Sequence, residues 1–192
     1  MLGPRSLPVA IYTTLLFPTH LAFAQTSASV SAAPKASKAA VSSPLDPSFA
    51  GFGIEPSNLF SFTGNDETNT FSVQLLQNLA DHSGAPPHIR LGGNTQDYII
   101  YDASYTSYGW EDNANSQSQG AIAADSMIIG PGYIGALDRF PKDTPVTFGL
   151  NLAYSSSDYI ERIVTTAKAA VDGIKNVKLY SFEIGNEPDL YL

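Results

Sequence analysis

The chain has 192 residues with 43% hydrophobic, 11% aromatic and 15% charged side chains, a composition that builds a packed core and excludes disorder along its whole length. Ten Lys and Arg against eighteen Asp and Glu give a formal charge of -8, which lacks the basic footprint of a nucleic-acid binder. The absence of cysteine rules out disulfide scaffolds, thiolate metal sites and thiol nucleophiles, and with only His20, His82 and His88 an all-histidine zinc site is not expected.

In chain order, Arg5 precedes an apolar stretch from Leu7 to Phe17, and Ala22-Phe23-Ala24 supplies the small-x-small pattern of a signal-peptidase site before Gln25. Pro8, Pro18 and His20 interrupt a run shorter than the roughly 20 apolar residues that span a bilayer. Residues 1–24 are therefore expected to be a cleaved signal peptide, and the mature protein to be secreted, extracellular and without a membrane partner. Cleavage removes one cation and takes the formal charge from -8 to -9. Residues 25–44 are nearly all Ser, Ala, Lys, Val and Pro, which offers nothing large to bury and predicts a linker. Globular sequence begins near Leu45, with no internal repeat and no N-x-[ST] glycosylation acceptor in the 148 residues that follow.

Four segments of that part predict buried strands, because each is apolar or β-branched for several residues and stops at Gly, Pro or Asn: Phe49 to Glu55, His88 to Gly92, Val146 to Asn151 and Val177 to Gly185. Between the first two, Phe71, Val73, Leu75, Leu76 and Leu79 follow a Thr/Asn cluster and stop at Ser83-Gly84, which predicts a helix. The connection from Tyr98 to Pro145 is long and rich in Tyr, Asn, Gln and Gly. It predicts an elaborated loop with helix only over Tyr133 to Phe140, and Met127, Ile128 and Ile129 as core. Before the last strand, Ile160, Ile163, Val164, Ala167, Ala170, Val171 and Ile174 fall on one helical face, and Asp158 and Glu161 have the spacing of a capping box.

Strands alternating with helices imply parallel pairing and an α/β class. No G-x-G-x-x-G or P-loop follows any strand, and Gly92-Gly93-Asn94 is too short to cradle a pyrophosphate, so no nucleotide cofactor is expected. Polar residues gather at the strand ends instead: Glu55, Asn94, Asn151, and Asn186 with Glu187. In a (β/α)8 TIM barrel that end carries the active site. Taken singly, each of these residues also suits a helix cap or a turn.

The stretch Ser181-Phe182-Glu183-Ile184-Gly185-Asn186-Glu187-Pro188-Asp189 is the most informative. A hydrophobic strand delivers a carboxylic acid next to an amide, and a proline fixes the exit. That combination suits glycosidic bond cleavage, in which a carboxyl group protonates the sugar oxygen as the bond breaks. Glu187 fits the acid. Asn186 fits a ligand of the sugar 2-OH, a contact that strengthens as the ring approaches an oxocarbenium ion. Glu183 is expected to be a supporting carboxylate.

Residues 88–102, His-Ile-Arg-Leu-Gly-Gly-Asn-Thr-Gln-Asp-Tyr-Ile-Ile-Tyr-Asp, together with Phe148-Gly149-Leu150-Asn151 and Phe182-Glu183-Ile184-Gly185-Asn186-Glu187-Pro188-Asp189, resemble glycoside hydrolase family 79. That family includes fungal and bacterial β-glucuronidases and heparanase. The resemblance runs from about Leu45 to the last residue. It implies a retaining mechanism on a (β/α)8 barrel with an attached C-terminal β-sandwich domain, a glucuronide glycan as substrate and no cofactor or metal. Position by position it makes Glu187 the general acid/base and Asn186 the 2-OH ligand. It also makes Glu55 and Asn94 contacts to sugar hydroxyls, lets Gly92 and Gly93 admit the ring close to the backbone, and offers Asn151 as a weaker contact.

The family's nucleophile is a Glu on a later barrel strand, whereas this chain runs five residues past Glu187. Residues 45–192 are therefore expected to be the N-terminal half of a barrel that takes about 250 residues, without the β-sandwich and inactive alone. Asp97, Asp102 and Glu55 are local carboxylates but weak candidates for nucleophile. Of the aromatics Tyr98, Tyr101, Tyr105, Tyr108 and Trp110, Trp110 is the preferred candidate to stack on a sugar, with core packing as the rival. His88 and Arg90 are expected to make structural hydrogen bonds, Arg90 to a carboxylate. The rivals to an exo-β-glucuronidase are a non-catalytic sugar-binding or inactive product and another retaining barrel glycosidase with an Asn-Glu strand end. The oligomeric state is left open.

Overall fold

A computed structural model describes residues 43–116 and 124–191. The signal peptide and most of the linker expected at the N-terminus lie outside these residues. Strand β1 (Phe52–Ile54) is followed by α1 (Leu59–Thr63) and α2 (Thr70–Ser83), then by β2 (Ile89–Leu91). Three short strands come next, β3 (Ile99–Tyr101), β4 (Glu111–Asp112) and β5 (Met127–Ile129), and then α3 (Pro131–Ala136). Strand β6 (Pro145–Leu150), helix α4 (Tyr159–Gly173) and strand β7 (Lys178–Ile184) complete the fold. Among the described residues, no helix is long and apolar enough to cross a membrane.

The four predicted strands form one parallel sheet in the order β1-β2-β6-β7, an open α/β array. Its register aligns Ile54 with Leu91, Leu91 with Phe148, and Phe148 with Phe182. Because side chains alternate along a strand, this register sends Ile54, Ile89, Leu91, Val146 and Phe148 to one face. There they are buried with Ala170 of α4 and with Tyr133 and Ile134 of α3. The opposite face is polar. His88 pairs with Thr147 at 2.8 Å, Thr147 with Ser181 at 2.8 Å, and Arg90 with Glu183. The pairing of β6 and β7 is irregular between Val146 and Thr147, so Tyr180 has no partner in the register and is 64% exposed.

The connection after Tyr98 is more ordered than the loop expected there. Strands β3, β5 and β4 make a second sheet, with β3 parallel and β4 antiparallel to β5. Met127 and Ile129 are buried, as expected of core, and belong to its central strand. These strands are only two or three residues long, so their period-2 signal is too short to stand out from a loop. The helical segment begins at Pro131 and ends with a 3-10 turn over Leu137–Arg139.

Helix α2 starts at the Asn69 side chain, which accepts the Ser72 N–H at 3.2 Å, and stops at Gly84 in the left-handed region. Helix α4 departs from expectation twice. Its buried stripe is Thr166 and Ala170 with Ile163 and Ala167 beside them, whereas Ile160, Val164 and Val171 face outward. No capping box forms, because the Asp158 carboxylate takes the Arg162 guanidinium at 2.7 Å instead of a backbone N–H. That contact also holds the Asp158 carboxyl below its ordinary value.

Candidate functional site

All four strands of the main sheet run in one direction, so their C-terminal ends lie along one edge. Glu55 follows β1, Gly92 to Asn94 follow β2, Asn151 follows β6, and Asn186 with Glu187 follows β7. In parallel sheets this edge is where ligands bind. A pocket of about 260 Å³ opens there, lined by Asn94, Asp97, Tyr98, Asn186, Glu187, Leu190 and Tyr191. A larger cleft of about 790 Å³ lies around Phe52, His88, Pro145, Lys178 and Tyr180, near the strand starts. Its lining includes His88 and Arg90 but neither Glu187 nor Asn186.

Glu187 projects from a strained turn. Its backbone sits in the left-handed region at φ 48° and ψ 58°, immediately before Pro188. Among the described residues only Asp143 shares a positive φ without being glycine. Such a conformation costs on the order of 1–3 kcal/mol and is found where position matters more than stability. The carboxylate is exposed, with the Asn186 amide nitrogen at 3.5 Å. Asn186 is held from three sides: its side-chain amide donates to Asn94 Oδ1 at 2.9 Å, its Oδ1 accepts from Arg90 at 3.1 Å, and its backbone N–H donates to Asp97 at 2.9 Å. Asn94, Asn186 and Glu187 are thus brought together.

Beneath them Arg90 grips Glu183 with two guanidinium nitrogens, the structural pairing expected of both. The Glu183 hydrogen bond is the main reason the Arg90 guanidinium sits above its ordinary value, and the Glu55 and Glu187 charges add to it. Glu55 already has internal partners. Its carboxylate accepts the N–H groups of Asn94 at 3.1 Å and Thr95 at 3.0 Å, and the Thr95 hydroxyl at 2.7 Å. It therefore holds the Asn94 loop in place.

Several expected roles meet a different geometry. Gly92 and Gly93 are buried. A Cβ on Gly92 would stand 2.8 Å from Gln96 Oε1, and one on Gly93, at φ 126°, would stand 2.2 Å from Glu55 Oε1. Both glycines make room for neighbouring side chains. The Asn151 side chain donates to the carbonyls of Ile99 and Ala124 and accepts from Tyr154 N–H, which pins two connections. Trp110 is half-buried against the core, with its indole N–H on the Ser57 carbonyl at 2.8 Å, so core packing holds in place of an exposed stacking face. Tyr98 and Tyr191 are the aromatics that line the pocket.

Sequence reasoning missed Gln96, and weighed Asp97 only as a weak candidate for nucleophile. Gln96 is fully buried, accepts Gly93 N–H and donates to the carbonyls of Leu150 and Glu183. Asp97 is 3% exposed and has three donors around it. Two polar residues in a short 3-10 turn carry no periodic signal that marks them as buried. The only hint was the pair of glycines just before them. Among the described residues no group of three or more His, Asp or Glu side chains is placed to hold a metal ion.

The chain is similar to known glucuronidases. The chain is 38% identical over 147 residues to a β-glucuronidase of Aspergillus niger, covering 74% of this chain and 26% of that protein. It is 34% identical over 157 residues to a β-glucuronidase of Neurospora crassa, covering 79% of this chain and 27% of that one. Its fold matches a 4-O-α-L-rhamnosyl-β-D-glucuronidase from Fusarium oxysporum, solved as a Rha-GlcA complex, with a TM-score of 0.58 and 30% identity over 77% of this chain and 29% of that chain. No protein-family model matches the chain. The chain is thus glucuronidase-like in sequence and in fold. It spans about a quarter of the length of the curated relatives it matches.

Proposed function

We propose that the protein is a secreted, retaining glycoside hydrolase of family 79, an exo-β-glucuronidase on glucuronic-acid-containing glycans, with Glu187 as general acid/base. One observation carries the reading: an exposed carboxyl on a strained turn at the end of a parallel strand, beside an asparagine anchored from three sides, in a chain similar to β-glucuronidases. On this reading residues 45–192 are the first four β/α units of a (β/α)8 barrel, and the polar face of the sheet is its interior. Asn186 holds the 2-OH, and Asn94, with Glu55 behind it, reaches further hydroxyls.

The proposed reaction runs in two steps. Glu187 gives its proton to the glycosidic oxygen while a second carboxylate attacks the anomeric carbon and forms a glycosyl-enzyme. Glu187 then takes a proton from water as that water releases the sugar. Glu183 and Asp97 are committed to internal donors and Glu55 to the Asn94 loop. On this reading the second carboxylate is the Glu on a later barrel strand that the family resemblance implies, in a protein as long as the curated relatives. By itself, the 192-residue chain is expected not to turn over.

The test is to measure kcat/KM on methyl and 4-nitrophenyl β-glucuronide in the chain at that full length. Glu187→Gln is expected to lower kcat/KM for the methyl glucuronide by about 100-fold or more, the range of a lost general acid. Unchanged turnover in that variant removes Glu187 from the mechanism.

A further inference from the structure

Asp97 is 3% exposed and its carboxylate gathers three donors from three separate segments. Oδ1 accepts the N–H of Leu152, beyond β6, at 3.0 Å. Oδ2 accepts the N–H of Asn186, beyond β7, at 2.9 Å and the hydroxyl of Tyr191 at 2.5 Å. The turn these donors define is the one that carries Glu187. Gly185 at φ 76° and Glu187 at φ 48° flank Asn186, so the backbone is left-handed on both sides of the N–H that Asp97 receives. A Cβ on Gly185 would stand 2.7 Å from the Tyr191 hydroxyl, which shows how closely the turn wraps that side chain. Among the described residues the Glu187 carboxylate has one hydrogen-bond partner, the Asn186 amide at 3.5 Å. Its aim is therefore set by its backbone.

We propose that Asp97 is a positioning residue for the Asn186–Glu187 pair, its buried carboxylate tying Leu152, Asn186 and Tyr191 into the turn that aims the Glu187 carboxyl. The inference rests on the acid/base reading of Glu187. An unpaired donor in a buried site is costly, so all three donors act on Asp97 as one unit. Asp97→Asn keeps the shape but sets an amide N–H group against N–H or O–H donors.

The test uses the leaving group, because a proton donor matters most where the departing oxygen is most basic. A methoxide needs the proton and a 4-nitrophenolate does not. A misaimed Glu187 therefore slows methyl β-glucuronide far more than 4-nitrophenyl β-glucuronide, whereas a loosened fold slows both alike. In the chain at the length of its curated relatives, Asp97→Asn is expected to lower kcat/KM for the methyl glucuronide by about 100-fold, the scale of a misplaced catalytic group, and to spare the nitrophenyl one. Tyr191→Phe removes one donor of three, keeps Asp97, and is expected to move the ratio of the two substrates the same way by a smaller factor. It decides the matter if the Asp97 variant does not fold. If the parent hydrolyses neither substrate, the glucuronidase reading fails and this inference with it. If the parent is active and Glu187→Gln shows the leaving-group selectivity while the Asp97 and Tyr191 variants leave the ratio unmoved, this inference alone is overturned.

Discussion

Asn186 and Asn94, 92 positions apart in the chain, are joined by a 2.9 Å hydrogen bond across the C-terminal edge of the main sheet. The bond exists because β2 and β7 run parallel on either side of β6 and end at the same edge. It converts two residues that look like ordinary turn formers into one wall of a pocket. Arg90 closes the arrangement from below by holding both Asn186 Oδ1 and Glu183.

Removing that support has a predictable cost. Arg90→Ala leaves Glu183 facing the polar side of the sheet without its partner. A fully buried pair loses about 3–5 kcal/mol on such a change, but here the two side chains are 43% and 27% exposed. Solvent screening reduces the expected loss to about 1–2 kcal/mol. Urea unfolding measures it. Arg90→Lys is expected to recover only part, because an ammonium cannot reproduce the two-pronged grip. Full recovery would show that charge alone suffices.

Gly93 is a sharper probe of the Asn94 loop. Its φ of 126° strains any side chain, and a Cβ would meet Glu55 Oε1 at 2.2 Å and push the carboxylate off the Asn94 and Thr95 N–H groups. Gly93→Ala is expected to cost about 2 kcal/mol or more from backbone strain and lost hydrogen bonds together. A thermal melt within a degree of the parent would mean that the loop is held by something other than Glu55.

Alkaline titration addresses the buried hydroxyls. Burial pushes Tyr133 well above its ordinary value, and the Glu55 charge adds to the shift. Tyr191 is raised by burial and by its hydrogen bond to Asp97, and Tyr101 by burial and Asp102. In the folded chain these three keep protons that the unfolded chain releases above about pH 10. Their contribution to stability is complete below the unfolded value and is lost as pH rises toward the folded one. Phenolate absorbance is therefore expected to show a delayed group of tyrosines, and unfolding midpoints to fall above about pH 10. Tyr191→Phe removes one delayed chromophore. A delayed group that is unchanged in size in this variant would contradict the Asp97 contact.

The four strands of the main sheet were legible in the sequence because each is an apolar run ending in Gly, Pro or Asn, and such runs need no distant information. Helices α2 and α4 were legible for the same reason, with Gly84 marking the end of one. The faces of α4 were not. Seven apolar residues suggested one stripe, yet Ile160, Val164 and Val171 are 59%, 42% and 56% exposed, since which part of a broad stripe is covered depends on what packs against it. The second sheet went unseen because its strands are too short to carry a pattern.

In the site, the sequence by itself determined the chemistry on offer: Asn186 and Glu187 at the end of a strand, Asn94 at the end of another, and the rigid exit at Pro188. These are local facts, written in residue types and their order. Only the tertiary structure decided which polar residues face the pocket and which are consumed inside the protein. Asn151, Trp110 and the two glycines went to internal contacts, and Asp97 came to lie under Asn186. The physical reason is that a hydrogen-bond partner far away in sequence is chosen by the register of a sheet and the path of its loops, and neither is encoded in the spacing of the residues that end up paired.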